Sequence, residues 1–178
     1  FVNRRNIEEA HIIAEAVREH LLERSEESLG IVAMNTEQRD EIERAVETLA
    51  KEDEVLRSAL ERETEKIEPL FIKNLENVQG DERDIMFISM TYGPQDIGGP
   101  VMQRFGPINS DVGWRRLNVL FTRAKKRMHI FSSMGSENIL LATNSKRGVR
   151  ALKDFLAYVE TGILHDAAQP SNRPPDSD

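Results

Sequence analysis

The chain has 178 residues, enough for one domain with a full hydrophobic core. It contains no cysteine, which excludes disulfides and thiolate metal sites and makes an intracellular, cytoplasmic location the natural default, and no run nears the roughly 20 apolar residues of a membrane span. A net charge of −7 argues against a general nucleic-acid coat, yet residues 1–68 hold 10 Lys and Arg against 19 Asp and Glu, whereas residues 69–178 hold 14 against 12.

In chain order, Asn6 followed by Glu9 resembles a capping box, and Ile7, Ala10, Ile13, Ala14, Val17 and Leu21 recur at helical spacing, which predicts a helix of about 20 residues. LGIVAM (29–34) reads as a strand buried on both faces. Thr36 is expected to cap a second helix with Ile42, Ala45, Val46 and Leu49 inward, and a shorter third helix covers 53–65 before Pro69 ends the region. LFIK (70–73) and DIMFISMTYG (84–93) predict two more strands, joined by the polar turn NLENVQGDER. Residues 93–113, rich in Gly and Pro, read as a long mobile loop. A basic helix (113–125), a strand (127–133) and a last helix (146–161) follow. That last helix is expected to bury Val149, Leu152, Phe155, Leu156 and Val159 and to close at Gly162. The proline-bearing tail, 166–178, reads as disordered or a linker.

Strands alternating with amphipathic helices imply an α/β fold, a parallel sheet with helices on both faces, whose ligands sit at the carboxyl ends of strands. VQGDERD and the loop before GWRRLN are both expected on that rim.

Several stretches carry chemistry, and each has a plainer reading. In VQGDERD, Gly80 permits a positive φ or a close approach, Gln79 offers donor and acceptor, and Glu82 offers acceptors for a ribose hydroxyl; the plainer reading is a polar turn. GWRRLNVLFTRAKKR carries six cations. Arg123 suits a phosphate, and Arg116 suits that anion or a carboxylate such as Glu82 or Asp84; an exposed basic face is the alternative. Gln38 and Arg39 open the second helix, either as an anion site or as an ordinary helix start. Trp114 reads as a packing anchor rather than a base-stacking platform. His129 reads as a core histidine, and the four histidines show no metal-ligand spacing.

Taken in order, IVAMNTEQRDEI, NLENVQGDERDIMFISMTYG and GWRRLNVLFTRAKKRMHIFSS resemble motifs IV, V and VI of superfamily 1 DNA/RNA helicases, closest to the Upf1-like branch. The resemblance covers a second RecA-like domain, residues 1–165. It implies that Arg123 is an arginine finger for an ATP γ-phosphate, and that Gly80, Glu82, Gln79 and Arg116 face the nucleotide. Asn74, standing where Ser or Thr is usual, would touch nucleic acid together with Asn35 and Gln38. Val78 stands where Phe is usual.

No GxxxxGK[ST] phosphate loop, Asp-Glu pair at a strand end or GDxxQ-like motif is present. The resemblance places these in a first RecA-like domain that holds ATP and Mg2+, so the chain is expected to be a fragment that is inactive alone. Expected partners are that first domain, single-stranded DNA or RNA, and a possible nuclease-like domain beyond the tail. The rival expectation is a non-catalytic RecA-like module that docks a partner protein.

Overall fold

The computed structural model describes residues 1–96 and 98–162. Its elements are α1 (Ile7–Glu23), β1 (Leu29–Ala33), α2 (Thr36–Glu52), α3 (Glu54–Glu63), β2 (Phe71–Asn74), β3 (Arg83–Ser89), α4 (Gly113–Phe121), β4 (Ala124–Phe131) and α5 (Arg147–Thr161), with short 3-10 turns at Gly106–Asn109 and Ser136–Asn138. The strands form one wholly parallel sheet in the order β2-β1-β3-β4. The expected tail lies outside the described residues.

Alternation along the strands explains the two layers. In β1 and β3, Leu29, Ile31, Ala33, Ile85 and Phe87 face α1, α2 and α3. Val32, Met86 and Ile88 face the opposite core, built with Leu117 and Leu120 of α4 and Val149, Leu152 and Leu156 of α5. Both faces are thus covered by helices, as a parallel sheet requires. This is the RecA-like α/β arrangement.

Several sequence expectations need correction. The cap of α2 is Asn35, whose side chain accepts from the Gln38 amide; Thr36 is the first helical residue. The Asn6–Glu9 box is half made: Asn6 Oδ1 accepts from the Glu9 amide, but the Asn6 amide donates to Gln38 Oε1 at 2.7 Å. Helix α4 stops at Phe121, so Lys125, Lys126 and Arg127 belong to β4. They pair there with Glu68, Glu27 and Asp84. Within 98–112 the chain is packed rather than mobile: Val101, Phe105 and Ile108 are buried in the α4–α5 core, whose apolar contacts outweigh the cost of ordering a Gly- and Pro-rich stretch. Val159 is 44% exposed because it lies on the outer side of α5. His129 is exposed on the edge strand, its ring edge-on to Phe87 at 5.3 Å; desolvation, then Arg127 and Arg24, hold it below the usual imidazole range.

Candidate functional site

The segment 75–82 leaves the carboxyl end of β2, crosses β1 and starts β3 beside β4. Leu75 and Val78 anchor it in the core, leaving Gln79, Gly80 and Glu82 exposed. Gly80 has φ +92°, and a Cβ there would meet nothing within 4 Å. The backbone at this point therefore faces open space in a conformation that disfavours any side chain.

Helix α4 runs alongside this segment. Leu75, Glu76, Gln79, Val112, Arg115, Arg116 and Val119 line a cleft of about 430 Å³ between the two. One turn beyond Val119 stands Arg123, in the corner that joins α4 to β4. Its Nε donates to the Val119 carbonyl at 2.9 Å and its Nη2 to Thr122 Oγ1 at 3.0 Å, while Nη1 lies 3.5 Å from Glu82 Oε1. The side chain is 18% exposed against 49% for Glu82. Two helix-end acceptors thus aim the guanidinium, and its carboxylate contact is too long and too wet to hold it firmly.

Gln79, Gly80, Glu82, Arg116 and Arg123 therefore share one flank, with a correction of place. Glu82 and Arg123 sit at the amino ends of β3 and β4, where the Arg83 amide donates to the Arg123 carbonyl, rather than on the carboxyl rim. Arg116 pairs with Glu76 at 3.2 Å, not with Glu82 or Asp84, because α4 runs against the strands and sets its first turn at the opposite end from them. Sequence reading missed Glu76 and Arg115 as cleft walls; the acid of NLEN facing the RR pair was the available signal.

The carboxyl rim holds the second group. Asn74 Nδ2 donates to Thr36 Oγ1 at 2.8 Å, and Asn74 Oδ1 accepts from the Glu76 and Asn77 amides. Asn35 Nδ2 donates to the Arg4 carbonyl. Gln38 is fully buried, and both atoms of its amide clasp the Asn6 backbone. These three side chains are committed to internal bonds, and what they present to solvent at this rim is exposed Thr36 and Arg4. Arg39 pairs with Asp40.

Behind the rim lies a carboxyl that the sequence suggests only as a helix cap. Glu9 is buried and accepts from Ser89 Oγ and from the Thr91 amide, the latter at 2.8 Å. Burial pushes its carboxyl up to about 7, although hydrogen bonds from Ser89, Thr91 and Ser133 pull it down. Thr91 takes φ +67°, a costly conformation for a β-branched residue, and its Oγ1 accepts from the Met34 amide. The signal for Glu9 was its phase, one turn before Ile13 and two before Val17 on the inward face of α1.

Cations, amides and an open glycine suit the phosphates of a nucleotide. Among the described residues no three His, Cys, Asp or Glu side chains gather as a metal site, and no helix is long and apolar enough to cross a membrane.

Residues 2–135 match the model of a family described as an AAA domain. The chain belongs to that family, which is found in the C-terminal domains of Upf1-like superfamily 1 helicases. It is similar to an uncharacterized ATP-dependent helicase, MG140, of Mycoplasma genitalium: 34% identical over 161 residues, covering 89% of this chain and 14% of that protein. A homolog of MG140 in Mycoplasma pneumoniae is 33% identical over 164 residues, with the same coverage. The chain thus spans about one seventh of the length of these curated relatives, and it is an ATP-dependent-helicase-like domain.

Proposed function

We propose that this chain is the C-terminal motor domain of an ATP-dependent superfamily 1 helicase, spanning residues 1–165. It supplies Arg123 to an ATP site shared with a first RecA-like domain of the same polypeptide. One observation carries the reading: Arg123 is aimed by Val119 and Thr122, with only a long contact to Glu82, two residues beyond an open, positive-φ Gly80.

Bound ATP, with Mg2+ held by the first domain, supplies the phosphoryl group whose transfer to water drives the motor. Arg123 neutralises charge that builds on that group, exchanging its contact with Glu82 for the phosphate when the lobes close. Gly80 lets backbone approach closely; Gln79 and Arg116 orient the nucleotide. At the rim, the Asn74–Thr36 pair and the α2 start, held by Asn35 and Gln38, guide single-stranded DNA or RNA. Closing and reopening the lobes alternates the grip and moves the protein along the strand.

In the full-length protein, Arg123→Ala should lower ATP turnover by about 10³–10⁵ while leaving nucleotide affinity largely intact. Steady-state hydrolysis and equilibrium nucleotide binding on the same preparation check this. Hydrolysis near the wild-type rate would refute the assignment and favour a partner-docking module.

A further inference from the structure

The first turns of α4 and α5 meet at a cluster that the proposed reaction leaves unused. Trp114 is half-buried there, the Arg147 guanidinium lies over its indole at 3.9 Å from the ring centre, and Arg115 lies 5.4 Å from it. Both arginines are exposed, and among the described residues neither guanidinium makes a hydrogen bond or an ion pair. Their neighbours are engaged: Lys146 pairs with Asp111 at 2.7 Å, Arg116 with Glu76, and Arg150 donates to the Ala142 and Thr143 carbonyls. A guanidinium held over an aromatic face by cation–π attraction still has N–H donors to offer an anion.

The base of the cluster is closely packed. A Cβ added at Gly148 would lie 2.4 Å from the Ile108 carbonyl oxygen and 3.0 Å from the Trp114 backbone nitrogen, so the backbones of α4 and α5 are in close contact beneath it. It is also continuous with the rim. Asn74 accepts from the Glu76 amide, Glu76 pairs with Arg116, and Arg115 and Arg116 line one cleft.

We infer that Arg147 and Arg115, held on Trp114, bind the phosphodiester backbone of a single-stranded nucleic acid as it passes from Asn74 across the start of α5. The inference rests on the motor-domain reading and extends its track to α5. Two unpaired planar cations beside the rim match adjacent phosphates. The indole is covered by Arg147, so the contact is to backbone and is neutral to sequence.

The test is binding of labelled oligo-dT and oligo-U to the 178-residue chain by fluorescence anisotropy over a salt series. Trp114 is the sole tryptophan, so its emission reports the same site independently. Arg147→Gln should weaken binding several-fold and reduce the slope of log K against log salt by about 0.7, and adding Arg115→Gln should bring the reduction to about 1.4. Arg147→Lys should keep the slope, and the Trp114 signal should change on binding. Oligo-dT and oligo-U share the phosphodiester, so Arg147→Gln should weaken both by the same factor, and a loss confined to one of them would overturn the phosphate contact. Wild-type binding with Arg147→Gln unchanged in affinity and slope overturns the inference alone. No binding of either oligonucleotide by the wild type overturns the motor reading, and the inference with it.

Discussion

Arg123 owes its aim to two neutral acceptors, and this decides how it tolerates change. The Val119 carbonyl and the Thr122 hydroxyl each take a different nitrogen of the fork, leaving Nη1 for Glu82. A lysine has one compact head and cannot satisfy both acceptors and still reach outward. Arg123→Lys should therefore lose nearly as much turnover as Arg123→Ala; recovery of more than a tenth of the wild-type rate would show that charge alone suffices. Glu9 gives a prediction in pH. Its carboxyl, ordinarily near 4.5, is raised to about 7, so between those values the folded chain holds a proton that the unfolded chain has released. Its contribution to stability is full below about 4.5 and is lost as pH rises through about 7, a swing of about 3 kcal/mol. Glu9→Gln should remove that slope, read as the pH dependence of the denaturation midpoint of variant against wild type. Parallel curves for the two proteins would mean that Glu9 is ionised throughout.

At the scale of elements, the boundary between α4 and β4 governs the site. Helical spacing in GWRRLNVLFTRAKKR ran on to Ala124, but the chain turns at Thr122, and the last cations enter an edge strand paired with Glu27, Glu68 and Asp84. That turn puts Arg123 in a corner instead of on a helix face. Charged residues on a sheet edge also discourage pairing with another chain. The α4–α5 contact depends on the absence of a side chain at Gly148, because the obstructing atoms are backbone and cannot swing away. Gly148→Ala should cost about 1–3 kcal/mol and loosen the base of the Trp114 cluster, so thermal unfolding and Trp114 emission should shift together. A variant as stable as wild type would mean that the two helices part at no cost.

For the whole molecule, the proposed reading makes the ATP site one shared with a first RecA-like domain. On that reading the purified chain, which brings Arg123 and an open Gly80, should show no ATP turnover; robust hydrolysis by it would contradict the shared-site reading. Much of the fold was legible beforehand. Short apolar strands and 3.6-residue spacing led to a parallel sheet with helices on both faces, and Gly80, Glu82, Arg116 and Arg123 stood out through the resemblance of their segments to helicase motifs. Other placements needed the structure. Gln38, Asn35 and Asn74 looked available as polar groups at a rim, and their amides are bonded to backbone and to Thr36, while Glu9 looked like a cap and its carboxyl turned inward. Periodicity and composition act over one or two turns of chain, so the sequence by itself determined the elements, their buried faces and the kind of anion the basic segment suits. Which arginine meets which carboxylate, which amides remain free and which end of the sheet carries Arg123 depend on contacts between residues as far apart as Glu9 and Thr91, so only the tertiary structure decided them.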